Sequence, residues 1–168
     1  MSTKNYDFII VGSGIVGLCT AWELKKKYPK YSIALIEKEC DIGRHSSGNN
    51  SGVLHSGIYY KPNSIKAKIC IEGKEKLIDW IKSKNLPILR CGKLILPQDA
   101  SLDHKIDKLA VNATKNNVEV EILRDNGINK ISSVARSASG RALWSPNTCV
   151  TSPIDVIKSL ALELKSLN

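Results

Sequence analysis

The chain has cysteines but no C-x-x-C pair. Cys19, Cys40, Cys70, Cys91 and Cys149 are odd in number and scattered over 168 residues. Such a set argues against a disulfide framework and a zinc site, and fits reduced thiols in a cytosol. Long apolar runs are also missing. The longest, residues 8–19, is broken by Gly12, Ser13, Gly14 and Gly17. Nothing approaches the run of about 18 apolar residues that a membrane span needs, so no transmembrane segment is expected. The leading MSTKNYDF has neither the apolar core of a secretory signal nor the Arg-rich character of a transit peptide. A cytoplasmic location follows as the expectation, with peripheral membrane contact left open. Aromatic residues are few, at 5%, and do not interleave with the basic ones. A nucleic-acid platform needs that interleaving, so no nucleic acid is expected as partner.

What is present describes an ordinary folded domain. Apolar residues make up 42% and charged residues 24%, enough for one domain with a real core. Lys and Arg outnumber Asp and Glu by 25 to 16, giving a net charge of +9. The lysines are spread along the chain, as on solvated helix faces. A modest role for their summed field in drawing in an anionic cofactor or substrate is the alternative reading.

YDFIIVG reads as a buried strand of β-branched residues ending at a glycine. GSGIVGLCTAWELKKKY reads as a helix with a cationic last turn, stopped by Pro29. YSIALIEKE is a second buried strand, closing on Glu37. Strand, glycine turn, helix and strand make one βαβ unit. A helix is predicted over about 64–84, then one strand through PILRCGKLILP with a bend at Gly92. A helix over about 101–115, a strand at VEVEIL, a helical turn at INKISSVA, a strand at RALWSP and a final helix from Pro153 complete the reading. The fold class expected is α/β: a Rossmann-like βαβ unit followed by the beginning of an α+β domain. The expected division is 1–84 for cofactor binding and 85–168 for the start of a substrate domain.

Gly12, Gly14 and Gly17 form G-x-G-x-x-G between a strand and a helix, as a dinucleotide fingerprint requires. Gly12 permits the tight turn, Gly14 the close approach of a pyrophosphate, and Gly17 the packing of helix on strand. The free N–H groups of the helix start, over Ser13, Ile15 and Val16, suit phosphate. Glu37, with Lys38 beside it, ends the second strand about 20 residues later. Its carboxylate can accept from the ribose hydroxyls, and it disfavours a 2′-phosphate and hence NADP. Between NAD and FAD, the segment SSGNNSGVLHSG decides. Small residues and backbone donors just after the ribose acid suit a flavin ring. FAD is the cofactor expected.

Taken together, IIVGSGIVG, IEKE, GNNSGVLHSGIYYKPNSIKAKIC and CGKLI resemble the D-amino-acid-oxidase-like superfamily of FAD oxidoreductases. Within it the sequence is most similar to L-2-hydroxyglutarate dehydrogenases and oxidases. The resemblance is strong over about 6–96. It departs from the family's pattern at Asn49, where the family has a second histidine, and at Ser152, where it has an acid. It implies cofactor contacts from Gly12, Ser13, Gly14, Ile15, Val16, Gly17, Glu37, Lys38, His45, Ser46, Ser47, Asn50, Ser51, Gly52 and Val53. It implies oxidation of L-2-hydroxyglutarate, a small 2-hydroxy acid, to 2-oxoglutarate. Glycerol 3-phosphate or an amino acid is the alternative substrate. The electron acceptor, oxygen or a quinone, stays open.

His55 is the candidate base, since a neutral imidazole suits that role near pH 7. The other reading is a histidine that hydrogen-bonds flavin or backbone without moving protons. Tyr60 is a catalytic candidate and Tyr59 a substrate contact, or both are packing residues. Lys93 is a candidate for the substrate carboxylate, or a surface lysine. The resemblance also implies a domain longer than 168 residues. A truncated, inactive remnant, or one part of a split enzyme with a complementing C-terminal chain, therefore stands as the second reading. On that reading the final helix has little to pack against.

Overall fold

The computed structural model describes residues 4–167. In chain order the elements are β1 (Phe8–Val11), α1 (Ile15–Lys27), β2 (Ile33–Ile36), β3 (Val53–Leu54), α2 (Ile65–Ser83), β4 (Ile88–Arg90) and β5 (Lys93–Ile95). A 3-10 turn (Ala100–Leu102), α3 (His104–Lys115), β6 (Glu121–Arg124), α4 (Asp125–Ile131), β7 (Arg141–Ser145), β8 (Cys149–Thr151) and α5 (Pro153–Ser166) follow. The chain forms two compact units. One holds residues up to 52 with 84–86 and 152 onwards, the other 53–83 and 87–151. The units do not follow a single cut in the sequence, because α5 returns to pack on α1.

In the first unit β1 and β2 pair in parallel, Phe8 opposite Ile33 and Val11 opposite Ile36. Asp7 fixes that register: its Oδ2 accepts from the N–H and the hydroxyl of Ser32, each at 2.7 Å. Phe8, Tyr28 and Tyr31 close the same end, with ring centroids 5.6–6.1 Å apart. A Cβ on Gly17 would lie 1.9 Å from the carbonyl oxygen of Gly12. Only glycine allows α1 to cross the strand end this closely. Lys25, Lys26 and Lys27 complement the negative end of α1.

The final helix does not lack a surface. α5 packs against α1, burying Val156, Ile157 and Leu160. Its apolar stripe therefore finds cover within these 168 residues. Ser152 caps it by accepting from the Asp155 N–H at 3.4 Å, and Pro153 occupies its first turn. The other face of the β-sheet is bare. Ile9, Val11 and Ile36 are 62%, 82% and 50% exposed.

In the second unit two three-stranded antiparallel sheets form, β3-β8-β4 and β5-β7-β6. PILRCGKLILP is two strands in different sheets rather than one bent strand. Gly92 sits between them at φ +67°, and a Cβ there would overlap the Trp144 ring at 1.9 Å. The short strands β3 and β8 lie where no strand was read. The helical turn read at INKISSVA begins earlier, at Asp125. α3 packs on β7 around Ile58, Ile106, Ala113 and Leu143, all at most 2% exposed. Each of the larger three contributes about 1.5–3 kcal/mol by burial. Arg141 ties the start of the central strand β7 to α3 by pairing with Asp103 and, at 2.6 Å, with Asp107.

Candidate functional site

The first unit carries a cradle at the start of α1. Gly12 turns at φ +99°, and the space a Cβ would fill there is open. Gly14 precedes the helix in extended conformation, with no side-chain cap and no acid in the first turn. The positive dipole end of α1 therefore carries no acid of its own helix; the Ser13 N–H just before it already bonds the Glu37 carboxylate, and the remaining N–H groups suit a phosphate. Ile15 N–H donates to Ser47 Oγ at 3.1 Å, bringing the later loop onto the helix start. Val16, 76% exposed, lies on the outer side.

Glu37 sits at the end of β2. Its Oε2 accepts from Ser13 N–H and from the Ser13 hydroxyl, each at 2.7 Å. Its Oε1 accepts from the N–H of Lys38 at 2.9 Å and of Glu39 at 3.2 Å. The Ser13 hydroxyl first, then the backbone donors, hold the carboxyl at a pKa of about 2. The carboxylate is thus ionised and its acceptor sites are filled. Of its four donors only the Ser13 hydroxyl is free to rotate away.

The loop after β2 braces itself. Asn50 Nδ2 donates to the carbonyls of Ser46 and Ser47 at 3.1 and 2.9 Å, and its Oδ1 accepts from Gly52 N–H at 2.9 Å. Asn49 donates to the Arg44 and His45 carbonyls. His45 Nε2 pairs with Glu39 Oε1 at 2.8 Å, and Lys38 lies 3.5 Å from the same oxygen. Ser51 is exposed, and Gly52 turns at φ +65°.

The second unit carries Val53 in β3, paired with Val150, and just after it a cluster of His55, Tyr59, Lys93 and Cys70. The His55 and Tyr59 rings meet edge-on with centroids 6.4 Å apart. Lys93 Nζ lies 4.7 Å from the Tyr59 ring centroid, a cation–π contact. Cys70 Sγ donates to the His55 carbonyl at 3.2 Å. Desolvation, then the Lys93 charge, lowers the His55 pKa. Desolvation also lowers that of Lys93, with Cys70 opposing it and no carboxylate contributing. Burial raises the Tyr59 phenol. His55 and Tyr59 are exposed, so the cluster is accessible to a ligand. Tyr60 takes part through its backbone: its N–H donates to Gly57 O at 3.2 Å.

Several participants carried no signal in the sequence. Cys70, on α2, ends the stretch that carries the resemblance, yet nothing in that stretch shows that its thiol meets the His55 carbonyl. Ser56 is 6% exposed with a hydroxyl that has no partner, a feature only coordinates reveal. Among the described residues no group of three or more His, Cys, Asp or Glu could hold a metal. No described helix is long and apolar enough to cross a membrane.

Residues 7–168 match the family of FAD dependent oxidoreductases designated DAO. The chain belongs to this family. It is 40% identical over 144 residues to the mitochondrial L-2-hydroxyglutarate dehydrogenase of Caenorhabditis elegans, covering 85% of this chain and 33% of that one. It is 47% identical over 92 residues to the L-2-hydroxyglutarate dehydrogenase of Indibacter alkaliphilus, covering 55% and 23%. Its fold matches the L-alpha-glycerophosphate oxidase of Mycoplasma pneumoniae with FAD bound, at a TM-score of 0.84 and 25% identity, over 98% of this chain and 44% of that one. The DAO chain described here thus spans about a third of the length of the curated relative from Caenorhabditis elegans. Its α/β class and Rossmann-like βαβ unit are those of the family, whose cofactor is FAD. The open space over Gly12, the uncapped start of α1 and the ionised Glu37 fit that dinucleotide.

Proposed function

We propose that this chain supplies the dinucleotide cradle and the first substrate-facing groups of an FAD-dependent dehydrogenase that converts L-2-hydroxyglutarate to 2-oxoglutarate. The observation that carries the reading is the cluster of a neutral-leaning His55 beside an unpaired ammonium, Lys93, on the ring of Tyr59. An oxidation of a 2-hydroxy acid needs a group to hold a carboxylate and a group to take the hydroxyl proton. Lys93 meets the first need, because a half-buried cation without a carboxylate partner gains one on binding. His55 meets the second, because its lowered pKa leaves the imidazole neutral and able to accept a proton near pH 7. FAD, when bound, supplies the two-electron acceptor for the hydride leaving the α-carbon. Tyr59 holds Lys93 in place through its ring face, and the catalytic role of Tyr60 rests on its place next to Tyr59 in the same turn. Gly12, Ser13, Gly14, Ile15, Val16, Gly17, Glu37 and Lys38 hold the dinucleotide. His45, Ser46, Ser47, Asn50, Ser51, Gly52 and Val53 form the flavin-side loop. On this reading residues 1–84 serve the cofactor and 85–168 begin the substrate domain. Identity of 40% and 47% to two L-2-hydroxyglutarate dehydrogenases, against 25% to a glycerophosphate oxidase, supports the hydroxy acid over glycerol 3-phosphate.

The test is a visible spectrum of the purified chain after incubation with FAD and desalting, then with L-2-hydroxyglutarate added. A retained flavin band that bleaches with substrate supports the reading. A retained band that bleaches only with glycerol 3-phosphate or an amino acid replaces the substrate.

One observation favours a second reading, that the chain works only with a complementing polypeptide. Parallel strands are ordinarily covered on both faces, yet Ile9, Val11 and Ile36 are open. In that case the chain alone retains no flavin. Retention and bleaching appear when a second chain supplies the remaining length of the family domain.

A further inference from the structure

Asn116 follows the last residue of α3, and its side chain is buried, at 6% exposure. Both of its amide hydrogens are spent far away in sequence. Nδ2 donates to the Gly57 carbonyl at 3.0 Å and to the Tyr60 carbonyl at 3.1 Å. Those carbonyls belong to the two ends of one four-residue turn, closed by the Tyr60 N–H on Gly57 O. Gly57 enters the turn at φ +89°. Within it Ile58 is 1% exposed and packs on Ile106 and Ala113 of α3. The same helix therefore grips the turn twice, by an apolar side chain and by an amide. What the turn leaves outside is Tyr59.

The helix itself has no use for that amide. Its end is closed by backbone: Asn116 N–H bonds the carbonyls of Asn112 and Ala113, Asn117 N–H that of Thr114, and Val118 N–H that of Ala113. The left-handed residue of the cap is Asn117, at φ +55°. An apolar residue at 116 would end α3 equally well and leave two carbonyls of the turn short of a donor.

We propose that Asn116 is a positioning residue for the His55, Tyr59 and Lys93 cluster, acting by clamping both ends of the Gly57–Tyr60 turn. The proposal rests on the reading of that cluster as the substrate end of the site. Asn116 touches none of the three side chains. It sets where the Tyr59 ring stands, and through that ring where the Lys93 ammonium sits and how dry the His55 imidazole is. Aspartate cannot replace it, because an ionised carboxylate has no hydrogen to give and would face two carbonyl oxygens.

The test reads His55 directly in the whole chain, without flavin or substrate. The three histidines are followed by proton–carbon NMR as pH is varied, with H45Q and H104Q to assign them. Asn116→Leu is expected to move the His55 titration up toward the ordinary imidazole value, as water reaches the ring and Lys93 leaves it. Asn116→Ser, which keeps one donor, carries the same test if the leucine variant does not fold. Ile128→Val, in the buried face of α4, serves as the control: it lowers thermal stability and leaves His55 unmoved. A His55 titration unchanged in the folded Asn116 variants, with only thermal stability lowered, overturns the proposal. Since no flavin enters, a failure of substrate oxidation leaves this result standing, and the two readings fail separately.

Discussion

Ser13 gives both its N–H and its hydroxyl to one oxygen of Glu37, at 2.7 Å each. The turn that leads into α1 and the end of the second strand are thereby locked together before any dinucleotide arrives. Removing the Ser13 hydroxyl raises the Glu37 pKa from about 2, because that hydroxyl is the largest cause of its depression. An NMR titration of Ser13→Ala checks this. The same variant also frees an acceptor site for ribose.

Glu37→Gln removes the negative charge and turns a donor toward Ser13. Losing hydrogen bonds to a charged group weakens FAD retention by about tenfold or more, measured by equilibrium titration. The folded chain is also affected by pH. Glu37 is depressed on folding, so its contribution is full above the unfolded value of about 4.3 and is lost as pH falls toward the folded one. The stability gap between parent and Glu37→Gln should close over that window in acid denaturation.

Two glycines make opposite predictions. Gly17→Ala drives a Cβ to 1.9 Å from the Gly12 carbonyl, forcing α1 off β1, at a cost of about 1–3 kcal/mol. Gly73, exposed within α2, has nothing within 4 Å of a new Cβ. Gly73→Ala should stabilise by about 0.5–1 kcal/mol, through helix propensity and a less flexible unfolded chain. Thermal melts of the two variants should move in opposite directions.

Lys93→Met removes a cation that holds the His55 pKa down. The His55 titration should rise, and the acid limb of the rate profile of the active enzyme should rise with it. On the proposed function, in which Lys93 holds the substrate carboxylate, KM for the hydroxy acid should increase more than kcat falls. A pH–rate series on the parent and Lys93→Met checks both.

The βαβ unit was legible because its signals are local: a β-branched run, three spaced glycines and an acid at the next strand end. β3 and β8 were not, since two and three residues carry no periodicity and exist only by pairing with each other and with β4. Gly92 was read as a bend, whereas the Trp144 ring lying on it separates two sheets. His55, Tyr59 and Lys93 could be singled out by type and by resemblance. Their meeting could not, because it depends on α3, and Asn116 looks in sequence like any polar residue after a helix.

The packing of α5 on α1 has a consequence for how the protein is made. A ribosome releases α1 well before α5, with about 125 residues between them, so roughly ten seconds pass at ordinary translation rates. During that interval α1 has no α5 to pack against, and β8, which joins β3 to β4, is itself finished at Thr151, just before α5 begins at Pro153. Neither unit can therefore close early: the strand that completes one and the helix that packs on α1 in the other leave the ribosome almost together.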